Sequence, residues 1–184
     1  MCTGFVFMAC SLDGFVARPD HSLDWLMPFN SAHEDHGYDD FISRMDGIVL
    51  GRATFEKVLG FGDWPYRLPV MVMSGNLTID SIPPELRDRV QIGRQSPAGT
   101  MATLAEKGWR QVYVDGGRLV RSFLRDGLIS EITLTIAPLL IGSGLPLFGH
   151  DGDDIILELL DSRTFKSGLV QHHYRLDNAS RKED

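Results

Sequence analysis

The sequence sets glycine, hydroxyl or cationic residues directly after short apolar runs at four points. Gly51-Arg52-Ala53-Thr54-Phe55-Glu56 follows Ile48-Val49-Leu50. Gly51 permits close backbone approach, and a helix opening there presents unpaired N–H groups at its positive dipole end, a setting that suits a phosphate. Arg52 adds a bidentate cation and Thr54 a hydroxyl. An ordinary helix entry with a solvated arginine fits the same residues. Val114-Asp115-Gly116-Gly117 ends a second run, and its double glycine reads either as bare backbone for a ligand or as a tight strand-to-helix turn. Val72-Met73-Ser74-Gly75 ends a third, where Ser74 fits a nucleotide hydrogen bond or a turn. Arg94, after Val90-Gln91-Ile92-Gly93, puts a cation past a fourth. Neither a G-x-G-x-x-G fingerprint nor a P-loop occurs.

The acids and histidines suggest proton chemistry more than metal chemistry. His33 and His36 in His33-Glu34-Asp35-His36 have metal-like spacing, but no third ligand is placed and no metal is expected. His172 and His173 are neighbours on a predicted strand and point to opposite faces. Tyr38, Phe41, Ile42 and Met45 form one helical stripe. Extending that helix backwards at about 100° per residue puts Glu34 within the stripe and Asp35 at its edge. A carboxylate there would have a raised pKa and act as a proton donor; a helix-start acid favoured by the dipole is the alternative. Asp13-Gly14, inside Ser11 to Ala17, marks a turn. Asp24-Trp25 lies in the long loop beyond it, a place for a lid. Pro138 to Phe148, apolar and rich in Gly and Pro, is expected to pack over a pocket or a partner subunit.

The elements that must position these residues follow from pattern and composition. The chain has 184 residues, 43% hydrophobic and 23% charged, which fits one globular domain, here residues 1–177 with a polar tail at 178–184. Apolar runs at Phe5 to Ala9, Ile48 to Leu50, Val70 to Met73, Val90 to Ile92 and Val112 to Val114 alternate with helical stripes. Leu119, Val120, Phe123 and Leu124 form one such stripe, and Met101, Leu104 and Ala105 a weaker one. This alternation predicts βαβ units and a largely parallel sheet. Its strand ends share one edge, so the four exits should converge there. Ile129 to Ile136 alternates like a half-exposed strand, and Ile155 to Leu160 and Leu169 to Leu176 should pair antiparallel. The net charge of −7 and the absence of a Lys/Arg run argue against a nucleic-acid partner. No apolar stretch is long enough for a membrane span, and the N-terminus lacks the basic region of a signal peptide. Cys2 and Cys10 share a predicted strand and cannot meet, which favours a reducing compartment and a cytoplasmic protein.

Five segments together resemble one family: Ser11 to Ala17 (S-L-D-G-F-V-A), Leu50 to Glu56 (L-G-R-A-T-F-E), Val72 to Ser74 (V-M-S), Val114 to Gly117 (V-D-G-G) and Pro138 to Phe148 (P-L-L-I-G-S-G-L-P-L-F). In this order they resemble the dihydrofolate-reductase-like fold family, nearest to the C-terminal reductase domain of the bifunctional riboflavin-biosynthesis deaminase/reductase and its stand-alone relatives. The resemblance implies a three-layer α/β/α fold with a mixed, mostly parallel central sheet and a C-terminal antiparallel hairpin. It implies NADPH as cofactor, with Gly51, Arg52 and Thr54 on the phosphate side and Arg52 at the 2′-phosphate. Ser74 and Arg94 would lie by the adenosine half, Gly116 and Gly117 by the pyrophosphate, and Ala9, Asp13 and Gly14 by the nicotinamide. Asp35 or Glu34 is the acid expected on the substrate side. The implied reaction is hydride transfer to a C=N or C=O group of a small heterocyclic (pterin- or pyrimidine-like) or sugar-like compound, as in 5-amino-6-(5-phosphoribosylamino)uracil reduction. A zinc deaminase half is not expected: the sequence has no His-x-Glu and no Cys-x-x-Cys pair. A homodimer is the family expectation, with Leu139 to Phe148 and the late strands as candidate contacts. A non-catalytic nucleotide-binding or structural module is the alternative; a phosphate-ester hydrolase lacks a nucleophile–base pair.

Overall fold

The computed structural model describes residues 1–29, 34–149 and 154–177. His33 and the tail at 178–184 lie outside them.

Apolar residues on both sides of the first strand set the architecture. β1 (Thr3–Ser11) sends Phe5 into one core and Val6 and Cys10 into another. A strand buried on both faces belongs inside a sheet covered on both sides. Next come α1 (Tyr38–Ser43), β3 (Gly47–Gly51), α2 (Arg52–Leu59), β4 (Val70–Met73), β5 (Val90–Gly93) and α3 (Pro97–Glu106). They are followed by β6 (Gln111–Asp115), α4 (Gly117–Arg125), β7 (Ile129–Ala137), β9 (Leu157–Thr164) and β10 (Val170–Leu176). The short strands β2 (Phe15–Ala17) and β8 (Leu145–Pro146) pair with each other. The main sheet has eight strands in the order β5-β4-β3-β6-β1-β7-β10-β9. Its first six are mutually parallel, and β10 is antiparallel to β7 and β9.

The two cores assign the helices to layers. Phe41 of α1 and Phe55 of α2 pack with Phe5, Ile48, Leu50 and Tyr113. Met101 and Leu104 of α3, with Leu119, Val120, Phe123 and Leu124 of α4, pack with Val6, Val49, Val112 and Val114. The expected three-layer α/β/α fold with its antiparallel end is therefore present. Among the described residues no helix is long and apolar enough to cross a membrane.

One expected element is shorter than its pattern. α1 begins at Tyr38 because Gly37 takes the left-handed conformation (φ 79°), which breaks a right-handed helix. The backward extension to Glu34 and Asp35 therefore does not exist, and the helical phase assigned to those acids is void. Met45 falls beyond the helix end yet is 4% exposed, so the stripe reported burial correctly but helix length wrongly. β9 also starts at Leu157 rather than Ile155.

Phe123 is 0% exposed and Leu140 is 67% exposed. Phe123→Ala should lower unfolding free energy by about 3–5 kcal/mol, and Leu140→Ala by less than about 0.5 kcal/mol. Urea denaturation of both variants checks this; equal losses would show that the α4 core is not where the structure puts it.

Candidate active site at the sheet edge

The parallel strands deliver their C-terminal residues to one edge. Register places Gly51 beside Met73, Met73 beside Gly93 and Leu50 beside Asp115. The four exits singled out in the sequence are thus neighbours. α2 leaves β3 towards the Phe5 face and α4 leaves the adjacent β6 towards the Val6 face. A crevice opens where consecutive helices depart to opposite sides, the usual ligand position in such sheets.

The crevice is lined by bare backbone. Gly51 is the N-cap of α2 and Gly116 the N-cap of α4, and neither helix has a side-chain cap. Their first N–H groups are left to solvent or to a ligand. α3 differs: Ser96 Oγ accepts from Gly99 N at 3.2 Å. Gly116 has φ 112°, a conformation that excludes ordinary side chains. A Cβ there would lie 2.7 Å from Thr54 Oγ1, and one on Gly117 would lie 3.3 Å from the Pro146 carbonyl oxygen and 3.4 Å from Val16 Cγ2. Gly116 is therefore required by its backbone conformation and packing, Gly117 fits tightly, and Thr54 stands directly against the turn of β6.

The remaining predicted residues divide by what holds them. Arg52 is half exposed and reaches Glu56 Oε1 at 3.4 Å, a weak surface pair that a stronger anion can displace. Ser74 Oγ accepts from Asn76 N and Leu77 N, both at 3.2 Å, so it builds a turn and keeps its own proton to donate. Arg94 donates to the Leu77 carbonyl at 2.8 Å, which ties the β4 and β5 exits together. Ala9 is opposite Thr135 of β7 and packs beside Trp25, Ala137 and Leu169. Trp25 is 3% exposed, and its indole N–H has no partner. A buried unpaired donor is costly.

The carboxylates behave differently from one another. Asp13 accepts from Ser11 Oγ at 2.5 Å, Ile141 N at 3.1 Å and Gly142 N at 2.7 Å. The Ser11 hydroxyl, then the two N–H groups, hold it below the usual carboxylate range. It clamps the loop after β1, including Gly14, to the loop of Pro138 to Phe148. That loop is divided: Leu140 and Phe148 face solvent, while Leu147 is 0% exposed and Leu139 and Ile141 pack on the Trp25 cluster. Glu34 accepts from Ser167 N at 3.2 Å. The Ser167 side chain and backbone hold it low, the opposite of the raised pKa that the helical phase implied. Asp35 accepts from Gly37 N at 2.8 Å and fixes the turn before α1. Among the described residues no group of three or more His, Cys, Asp or Glu could hold a metal ion.

Asp115 is the carboxyl that sequence reading left unassigned. It ends β6 on the Phe5 face, two residues after Tyr113, partly exposed at the edge but densely surrounded. Burial raises its pKa from 3.8 to about 6, against weaker opposing hydrogen bonds from Gly116 N–H and Tyr113. Tyr113 in turn donates to the Phe7 carbonyl at 3.0 Å, and Tyr38 is pushed up to about 12, mainly by burial and then by Asp115. The signal available in the sequence was a lone acid ending an apolar run, next to two glycines. Its significance needed the neighbouring tyrosines, which come from distant segments.

Comparison with known proteins bears on the family and the fold. A family model described as the RibD C-terminal domain matches residues 69–171. The uncharacterized protein YwjB of Bacillus subtilis (strain 168) is 32% identical over 174 residues, spanning 92% of this chain and 96% of that one. A candidate riboflavin biosynthesis protein from Shewanella sp. PV-4 has a crystal structure that superimposes with a TM-score of 0.89. It is 36% identical, with 95% of this chain and 99% of that chain covered. The riboflavin biosynthesis protein RibD of Corynebacterium ammoniagenes is 27% identical over 150 residues, 77% of this chain but 44% of that protein.

The raised pKa of Asp115 has a signed consequence. Below about pH 4 the carboxyl is protonated in both folded and unfolded chains, and its burial costs nothing. As pH rises through about 6 the folded chain must hold the charge, and stability is lost. Two units correspond to at most about 3 kcal/mol, and partial exposure reduces this to roughly 1–2 kcal/mol. Asp115→Asn should therefore be more stable than wild type by that amount at pH 7.5 and equal to it near pH 3, in urea melts. A pH-independent difference would contradict the assignment.

Proposed function

The chain belongs to the RibD C-terminal domain family, whose fold is that of a reductase, and we propose that it is an NADPH-dependent reductase of a small heterocyclic, pyrimidine- or pterin-like, or sugar-like substrate. One observation carries the reading. Two helices with glycine N-caps and no side-chain caps open on the same crevice, from adjacent parallel strands. Uncapped N–H groups on both sides, with a Gly116 turn that excludes a Cβ, fit a diphosphate bridged across the crevice.

The cofactor's parts fall to named residues. Gly51, Gly116 and Gly117 offer backbone to the diphosphate, and the Thr54 hydroxyl stands beside them. Arg52 is free to exchange Glu56 for a 2′-phosphate. Ser74 and Arg94 shape the adenosine side, and Ala9 with the Asp13-Gly14 turn forms the floor under the nicotinamide. When bound, NADPH supplies the hydride. The protein's own part is to orient, exclude water and manage one proton.

That proton belongs to Asp115. Its raised pKa lets it hold hydrogen near neutrality, as a general acid requires. Glu34 and Asp13 are held ionised by their donors, which suits positioning instead. Asp13 keeps two loops together over the strand ends, and Glu34 ties the segment before α1 to the β9–β10 turn.

Calorimetric titration tests the cofactor. NADPH should bind more tightly than NADH, and Arg52→Ala should weaken NADPH about 10- to 100-fold, the loss of one charge-assisted contact of about 1.5–3 kcal/mol, with NADH unaffected. Equal affinity for the two nucleotides in wild type, or an equal loss of both in the variant, would refute the role of Arg52. Failure of both to bind would overturn the reductase reading.

A further inference from the structure

Tyr113 and Asp115 stand two residues apart on β6, so their side chains leave the same face of the sheet. Tyr113 is 6% exposed. Its ring is held by Phe41, at a centroid distance of 5.2 Å, and by Tyr38, at 6.3 Å. The ring is thus fixed on two sides, while the hydroxyl hydrogen still turns about the C–O bond.

That hydrogen has two acceptors within reach. The Tyr113 hydroxyl donates to the Phe7 carbonyl at 3.0 Å, and the same group is hydrogen-bonded with the Asp115 carboxyl. The pairing of β1 with β6 ends at Phe5 and Tyr113, two residues before Phe7, and the phenol meets β1 beyond that end. A phenol has one proton to give and lone pairs with which to accept. A protonated Asp115 leaves that proton on the Phe7 carbonyl. An ionised Asp115 only accepts, and a charge-assisted bond displaces a neutral one.

The other titratable groups that face Asp115 are Tyr38 of α1 and Tyr66 of the loop after α2. Both phenols are pushed up, by burial first and then by the Asp115 charge. Among the described residues neither is hydrogen-bonded to Asp115, and no charged side chain acts on it. From β3 its neighbour is the apolar Leu50, and Arg52 of α2 is paired with Glu56. Tyr113 is therefore the one phenol of the three placed to follow the Asp115 proton.

We propose that Tyr113 is the positioning residue for the Asp115 proton: its O–H points at the Phe7 carbonyl while Asp115 is protonated and turns to the carboxylate once that proton has left. The inference rests on the reading of Asp115 as the acid of the reduction. In that step the carboxyl O–H of Asp115 breaks, its proton bonds to the substrate, and the electron pair stays on the carboxylate. The hydride comes separately from NADPH. The O–H bond of Tyr113 is never broken; only its acceptor changes, from the Phe7 carbonyl oxygen to an Asp115 oxygen. A proton from solvent at the open edge then reloads Asp115, and Tyr113 returns to Phe7. The charge left in a densely packed corner is met by a donor already in place, with no movement of the ring.

Carbon-13 NMR of the full chain without nucleotide, labelled at aspartate carboxyls and phenylalanine carbonyls, tests this. Its outcome is independent of whether NADPH binds, so failure here and failure of the cofactor reading are distinct results. Asp115→Asn identifies the Asp115 signal. Removing the Tyr113 hydroxyl takes a charge-assisted bond from the ionised form and a neutral one from the protonated form, and the first loss is the larger. Tyr113→Phe should therefore raise the Asp115 midpoint by about one pH unit. The ring is kept, and circular dichroism checks the fold. Tyr38→Phe removes a phenol of the same corner that makes no bond to Asp115, and it should leave the midpoint in place. The Phe7 carbonyl signal reports the rotation itself and needs no variant. In wild type it should titrate with the Asp115 midpoint; in Tyr113→Phe and Asp115→Asn it should be flat. An Asp115 midpoint unmoved or lowered in Tyr113→Phe, an equal rise in Tyr38→Phe, or a wild-type Phe7 signal that does not follow Asp115 would each overturn the proposal.

Discussion

Everything at the candidate site depends on the parallel pairing of β3 with β6. Leu50 stands beside Asp115, and the chain leaves the two strands in opposite directions, α2 towards one core and α4 towards the other. Such a divergence leaves a gap that neither helix can fill. Backbone must line it, because a side chain on Gly116 would strike Thr54. The glycines are thus consequences of topology as much as of ligand binding. A site built from N–H groups on rigid strands needs little rearrangement to receive an anion, which is the main advantage of preorganisation.

The same edge concentrates a tension. A carboxyl beside a crevice proposed to hold a diphosphate would be electrostatically unfavourable when ionised. Asp115 resolves this by burial, which favours its neutral form and outweighs the hydrogen bonds from Gly116 N–H and Tyr113 that favour the ionised one. Asp13 solves a different problem: its three donors hold two loops over the strand ends. Two acids of similar intrinsic strength therefore acquire opposite protonation tendencies because one is surrounded by protein and the other by N–H and O–H donors.

Much of this was legible in the sequence because it is local. Short apolar runs bounded by glycine gave β3, β4 and β6, and the strand-exit glycines gave the crevice, since parallel strands share an edge by necessity. The stripe of Leu119, Val120, Phe123 and Leu124 gave α4, all four of its residues being buried. What failed was extrapolation through Gly37. The stripe's phase does not cross a residue whose left-handed backbone ends the helix, so Glu34 never joins that stripe. What was missed was non-local. The environment of Asp115 is made by Tyr113 on its own strand, Tyr38 on α1 and Tyr66 on a loop, and spacing along the chain does not report such convergence. The inward turn of Leu147 was also invisible, because it depends on the β2–β8 pairing.

Amide hydrogen exchange with and without NADPH probes the central claim most directly, because the claim concerns backbone N–H groups. Saturating NADPH should slow exchange at residues 51–54 and 115–118, the two uncapped helix starts, and leave β9 unchanged. Protection confined to other regions, or none at all under conditions where binding is saturated, would contradict the crevice between β3 and β6 as the cofactor site.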